Sequence, residues 1–206
     1  MHPNQIFRET NSERNHTMLA SAGFGALVVN GDDVPHVAHI PYHYDRVTGQ
    51  VAFHLVRSNP IARVLAKSDG RATLIINGPH GYISPDWYGV DDQVPTWNYV
   101  AIHATGSVAV LPDDQLEPIL NRLSDHFEAD LLPKPIWKMS KLTEDVKIRM
   151  MRQIVPCVMQ VDMIDGTWKL GQNKADAVRL AAAKHLRDSG DGSDPQQLAD
   201  LMEQAT

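Results

Sequence analysis

Short stretches of hydrophobic and polar residues, separated by turn-forming residues, make up much of the chain. Such stretches indicate β-strands, and closely spaced turns favour an antiparallel meander. The predicted strands are residues 24–30, 34–41, 50–57, 71–77, 100–111 and 157–164, with a tight turn at Asp165 and Gly166. Six or seven strands, with few helices and no regular strand-helix-strand repeat, favour a small antiparallel barrel over a doubly wound sheet.

Helical periodicity is confined to a few segments between these strands. A short helix is predicted to end near residue 22, and Asn59 followed by Pro60 is typical of a helix start. Apolar residues at spacings of three and four after Asp113 predict an amphipathic helix capped by that residue. Further helices are predicted from Thr143, over residues 174–186 and after Asp194. We therefore expect one domain over residues 1–187, followed by a linker and short helix over 188–206.

Composition narrows the class of protein. A chain of 206 residues can bury one full core, and a single cysteine, Cys157, excludes an internal disulfide and predicts an inert core thiol. No stretch approaches eighteen apolar residues, and the amino terminus lacks a secretory pattern. The net charge of −6 disfavours nucleic-acid binding by the molecule as a whole. These features predict a cytoplasmic protein without a membrane segment.

Candidate chemistry is concentrated in residues 78–106. This segment contains two of the four tryptophans, three of the five tyrosines, two histidines and three prolines. Aromatic faces beside hydroxyl, amide and imidazole groups suit a flat, partly polar ligand, and the prolines and glycines predict a rigid loop between extended segments. The alternative is a tightly packed aromatic hairpin without a ligand.

Two further stretches carry groups suited to a phosphorylated cofactor. Arg57, Ser58 and Asn59 place a guanidinium and a hydroxyl at a helix start, an arrangement that binds phosphate, although an ordinary N-cap beside a surface arginine has the same sequence. Lys169, with the glutamine and asparagine that follow it, could meet the carbonyls and ring nitrogens of a planar cofactor. Polar residues after a turn can equally be plain surface.

Other chemistries are less well supported. His39 and His43 flank Pro41, which excludes a shared helical turn, and on a strand they would lie about 13 Å apart, so we predict no metal site. The sequence contains no nucleophile elbow, dinucleotide fingerprint or phosphate loop. One basic run could contact DNA or simply be a solvated face. Its members are Lys134, Lys138, Lys141, Lys147, Arg149 and Arg152.

Several of these motifs together resemble the PaiB-type FMN-binding negative transcriptional regulators. The resemblance covers the amino terminus to about residue 186. It includes the Gly-Pro-His-Gly-Tyr-Ile-Ser-Pro-Asp-Trp-Tyr block, the Val-Pro-Thr-Trp-Asn-Tyr block with His103 and Gly106, and Lys-Leu-Gly-Gln-Asn-Lys near residue 170. This chain has Gly171 where the family pattern usually has serine, and Asp86 where a small polar residue is usual.

The resemblance implies an α+β fold that is mainly β with flanking helices, the FMN-binding split β-barrel of the pyridoxamine-phosphate-oxidase-like type. It further implies a homodimer with FMN at the subunit interface. Carried over to this chain, the implied FMN-binding residues are His39, Arg57, Ser58, Asn59, Tyr82, Ile83, Ser84, Trp97, Lys169, Gln172 and Asn173. The last four side chains could come from the partner.

The implied function is transcriptional regulation, with DNA as a possible partner through the basic run. Two alternatives use the same fold. One is a flavin-dependent oxidoreductase, for which His80 and His103 are the residues to test as acid or base. The other is a haem-binding or haem-degrading protein with His39 or His54 as an axial ligand.

Overall fold

The computed structural model describes residues 2–9, 12–67 and 70–205, without the side chains of residues 9 and 189. The strands are β1 (Arg8–Glu9), β2 (Phe24–Val29), β3 (His36–Asp45), β4 (Gln50–Val56), β5 (Gly70–Ile83), β6 (Thr96–Val110), β7 (Ile154–Lys169) and β8 (Gly192–Ser193). The α-helices are α1 (Ser12–Ala22), α2 (Pro60–Leu65), α3 (Leu116–Ala129), α4 (Glu144–Met151), α5 (Asp176–Ser189) and α6 (Pro195–Gln204). Short 3₁₀ turns complete the secondary structure.

The chain divides into two compact units, and β5, β6 and β7 contribute residues to both. Unit 2 comprises residues 19–76 and 104–164 and contains the barrel. Its strands follow the order β7-β4-β3-β2-β5-β6, and β6 pairs with β7 to close the barrel. The β2–β3, β3–β4 and β4–β7 pairs are antiparallel, with Ala26 opposite His39 and Phe53 opposite Cys157.

Alternating residues of the barrel strands form the core of unit 2. Leu27, Phe53, Leu74 and Met159 are fully or almost fully buried, as the period of two predicts. Outside the barrel wall, α3 packs Ile119 and Leu123 against Ala52 of β4. Cys157 is buried, which confirms the predicted core position, and burial raises the pKa of its thiol to about 12.

Unit 1 comprises residues 1–18, 77–103 and 165–206. In it, β1 pairs with the end of β7, β8 pairs with the end of β5, and α5 packs against α6. The buried Arg179 of α5 donates from Nε to the Met202 carbonyl of α6 at 2.9 Å, and it pairs with Asp176. This arginine therefore ties the two C-terminal helices together.

Three local predictions from the sequence are wrong. Residues 78–83, predicted as loop, continue β5, and Asp165 and Gly166, predicted as a turn, lie inside β7. Asp113 does not cap α3, because a 3₁₀ turn intervenes. In β7 the glycine serves close packing, since a Cβ at Gly166 would lie 2.0 Å from the Asn15 Oδ1 atom.

Within the described residues, no helix has the length and the apolar character that crossing a membrane requires.

His54 is expected to make the fold sensitive to mild acid. This half-buried side chain of β4 has a buried Nδ1 without a hydrogen-bond partner in the described residues, and burial lowers its pKa. The unfolded chain therefore binds the proton more readily, and the free energy of unfolding should decrease as pH falls below the unfolded value of about 6.5.

Urea unfolding at several pH values between 7.5 and 5.0 tests this expectation. His54→Leu should unfold with a weaker dependence on pH over that range, because it removes one proton that binds preferentially to the unfolded state. Half-buried His43 and His103, whose pKa values are also lowered by burial, should account for part of the dependence that persists. An unchanged pH dependence in the variant would contradict the assignment to His54.

Candidate functional site

An exposed aromatic cluster lies on β5 and β6 in unit 1. Trp97 of β6 has its ring centroid 6.1 Å from Tyr82 and 6.2 Å from His80, both on β5. Trp97 is 47% exposed and Tyr82 is 36% exposed, whereas Ile83 and Asn98, which point the other way along their strands, are buried. The two exposed rings thus retain free apolar surface that could cover a planar ligand.

Lys169 adds a polar group to the same unit. Its Nζ donates to the hydroxyl of Thr96, the neighbour of Trp97, and lies 5.9 Å from the Phe7 ring centroid. Burial lowers the pKa of Lys169, because desolvation disfavours the charged amine. The lysine therefore releases its proton more easily than an exposed lysine would.

The turn after Lys169 is built by its own side chains. Gly171 has φ +84°, a left-handed conformation that serine adopts only with strain, which gives a physical reason for glycine at this position. The Gln172 side chain accepts from the Leu170 amide at 2.8 Å and donates to the Trp168 carbonyl at 2.6 Å. Gln172 is thus committed to the turn, while the neighbouring Asn173 is exposed.

In unit 2, the predicted phosphate-binding group lies where β4 meets α2. Asn59 accepts from the Ile61 amide at 2.9 Å and caps α2, with Pro60 as its first residue, as predicted. The exposed Arg57 guanidinium donates to the Arg152 and Ile154 carbonyls and pairs with Asp113 at 3.2 Å. An anion binding here would have to compete with the Asp113 carboxylate.

The remaining predicted residues have varied environments. His39 is exposed on β3 of unit 2 and stacks on Phe24 with ring centroids 6.2 Å apart. The Ile83 side chain belongs to the core, and the Ser84 hydroxyl accepts from the Asp86 amide at 3.4 Å.

The structure thus brings Tyr82, Trp97 and Lys169 into unit 1, and His39 and Arg57 into unit 2.

Buried polar residues that the sequence did not single out shape unit 1. Asn98 donates to the Met202 sulfur at 3.4 Å, and a Cβ at Gly171 would lie 3.7 Å from its Nδ2 atom. The strand alternation offers a signal, because Asn98 lies between Trp97 and Tyr99 and must face the opposite side.

Among the described residues, no group of three or more histidine, cysteine or acidic side chains could hold a metal.

The basic run is partly neutralised within unit 2. Lys134 pairs with Glu128, Lys138 with Asp125, and Lys147 with both Glu117 and Glu144. Half of its six cations are therefore engaged by carboxylates. This arrangement favours the solvated-face interpretation for those lysines.

Comparison with solved structures shows which fold class the chain adopts. The fold is similar to that of the FAD and haem binding protein from Mycobacterium smegmatis, with a TM-score of 0.60 at 17% identity, covering 91% of this chain and 82% of that one. It is also similar to the flavocytochrome Anf3 from Azotobacter vinelandii, with a TM-score of 0.59 at 13% identity, covering 83% and 73%. At these identities the likeness concerns the fold alone, a mainly β split barrel with flanking helices, as predicted.

The family follows from sequence comparison. The family described as "Putative FMN-binding domain" matches residues 1–163, and this chain belongs to it. Among curated proteins, "Protease synthase and sporulation protein PAI 2" of Bacillus subtilis is 26% identical over 201 residues, covering 97% of this chain and 95% of that protein. The resemblance to the PaiB-type FMN-binding family is thereby confirmed. Lys169 to Asn173 lie beyond the matched residues.

Proposed function

We propose that this protein is a cytoplasmic, homodimeric flavoprotein that binds FMN. The observation that carries the proposal is the exposed Tyr82–Trp97 pair in a chain of an FMN-binding family, with Lys169 hydrogen-bonded to the residue before Trp97. Exposed aromatic faces are costly to leave in water, and a tricyclic ring is a natural partner for them.

The residues fit a flavin ring better than they fit its phosphate. In the proposal, Trp97 and Tyr82 contact the flat ring, and Lys169 provides a donor to its polar edge. Arg57 and Ser58 of unit 2 are a separate candidate group for an anion such as a phosphate, which must replace Asp113 as the anionic partner of the guanidinium. When bound, FMN would supply electron-transfer chemistry.

The visible spectrum and an FMN titration test the proposal. The purified protein should show flavin absorbance, or should quench the fluorescence of added FMN with a micromolar or lower Kd. Sedimentation analysis in the same buffer should give the mass of two chains. A colourless protein that neither quenches FMN fluorescence nor dimerises would contradict the proposal.

We further propose that the protein acts in negative transcriptional regulation, and this proposal rests on the resemblance to the PaiB-type regulators alone. Direct DNA binding would use Arg149 and Arg152, which are exposed cations of the basic run. Gel shifts at about 50 and 200 mM salt should show binding that weakens steeply as salt rises. No shift at the lower concentration would argue against direct DNA contact and favour action through a partner protein.

An oxidoreductase is the second candidate, and the lowered pKa of Lys169 favours it. A lysine that exchanges its proton more easily could serve proton transfer at the flavin edge. Anaerobic addition of NADPH should then bleach the bound flavin, and Lys169→Met should bleach more slowly. Flavin that keeps its colour would argue against this reductase activity.

A further inference from the structure

A cavity lies in unit 2, between α3 and the outer wall of the barrel. It has a volume of about 290 Å³ and is lined by residues of β3, β4, β7 and α3. Ala52, Ile119 and Val158 give it an apolar wall. None of its lining residues belongs to the predicted phosphate-binding group of Arg57, Ser58 and Asn59. This cavity is therefore distinct from the proposed phosphate-binding group.

One side of the cavity is positively charged. Arg122 of α3 lines it, although the residue as a whole is exposed, and within the described ranges its guanidinium has no hydrogen-bond or ion-pair partner. His43 of β3 also lines it, and its ring centroid lies 5.5 Å from that of His126 on α3 in an edge-to-face arrangement. A guanidinium and two imidazoles thus lie together, and within the described ranges none of them forms an ion pair, although the Asp45 carboxylate lies near enough to raise the pKa of His43.

Among the described residues, the one carboxylate that lines the cavity already accepts hydrogen bonds. Asp45 accepts hydrogen bonds from the backbone amides of Val47 at 2.9 Å and Thr48 at 3.4 Å, and these bonds lower its pKa. It therefore stays ionised and closes the β3–β4 turn, and within the described residues it forms no ion pair with Arg122. Two amide side chains, Gln50 and Gln115, complete the polar side and could donate to a ligand.

We propose that this cavity binds a small carboxylic acid whose carboxylate pairs with Arg122 and whose apolar body lies against Ala52, Ile119 and Val158. Guanidinium groups bind carboxylates through two parallel hydrogen bonds, and apolar walls with a few placed polar groups are typical of small-molecule sites. The volume, equal to roughly ten water molecules, suits a compact acid.

The protonation of His43 provides a readout inside the cavity. Burial is the largest cause that lowers the pKa of His43, and the positive charges of His126 and Arg122 lower it further. The Asp45 carboxylate raises it. A bound carboxylate would oppose both cations and would therefore raise the pKa of His43. Histidine NMR spectra, assigned with His43→Gln, can follow this change during a titration.

Benzoate, benzamide and inorganic phosphate, at constant ionic strength, are suitable probes. Benzoate should shift the His43 signal in a saturable way and raise its pKa, whereas benzamide and phosphate should bind at least about tenfold more weakly. Arg122→Gln should weaken benzoate binding about tenfold or more. The matched control, Arg71→Gln, removes an exposed arginine of β5 outside the cavity and should bind benzoate like the natural protein.

Three outcomes would overturn the proposal. They are no saturable shift with benzoate up to about 50 mM, benzamide binding as tightly as benzoate, or phosphate binding more tightly than benzoate. Melting temperature and FMN fluorescence, recorded for each variant, separate loss of the site from loss of the fold. These two measurements also distinguish failure of the carboxylic-acid proposal from failure of the flavin proposal, because Arg122 takes no part in the flavin proposal.

Discussion

Gly106→Ala is expected to lower the free energy of unfolding by about 3 kcal/mol or more. Gly106 is buried in β6, and an added Cβ would lie 1.9 Å from the Gln160 carbonyl oxygen and 3.0 Å from the Val161 Cα atom of β7. Both obstacles are backbone atoms, which cannot rotate aside as a side chain can. Because β6–β7 pairing closes the barrel, the substitution must push apart the strands of that seam.

Two control variants make this expectation specific. Ser107→Ala changes the exposed neighbour on the same strand and should alter the free energy of unfolding by less than about 0.5 kcal/mol. Gly89→Ala has open space around its Cβ but a φ of +65°, so it should cost only about 1 kcal/mol of backbone strain. Urea unfolding at pH 7.5 measures all three, and a Gly106→Ala protein within 1 kcal/mol of the natural one would contradict the close approach.

The barrel could be predicted from the sequence because its strands alternate and its turns are short. The lengths of β5 and β7 could not be predicted from the sequence, because glycine and proline occur both in turns and inside strands. At Asp165–Gly166 the sequence is typical of a turn, yet Gly166 is needed where the strand passes the Asn15 side chain. Only a contact with a residue 151 positions away distinguishes the two uses.

The residue types in the candidate site could also be predicted from the sequence. The hydrogen bonds and ion pairs that these residues form could not. Arg57 has the sequence context of a phosphate ligand, yet its guanidinium meets Asp113, which lies 56 positions further along the chain. Gln172 bonds to its own turn. Pairings of this kind depend on which strands become neighbours, and a local motif contains no information about them.

Trp97→Ala is expected to raise the Kd for FMN about 30-fold, the equivalent of about 2 kcal/mol. About half of the Trp97 surface is exposed in unit 1, and flavin contact would remove that apolar area from water. The same exposure means that truncation costs the fold little, since few core contacts are lost. Trp97→Phe should retain most of the affinity, because it keeps an aromatic face in the same place.

Trp87→Phe is the matched control for this prediction. Trp87 belongs to the same aromatic segment and the same unit, but it stacks on His185 with ring centroids 6.1 Å apart and an interplanar angle of 17°. Its substitution should therefore leave the Kd for FMN unchanged, as measured by quenching of flavin fluorescence. An equal loss in Trp87→Phe and Trp97→Ala would indicate general disturbance of unit 1 and would contradict direct stacking. Unchanged affinity in Trp97→Ala would move the flavin ring away from the Tyr82–Trp97 pair altogether.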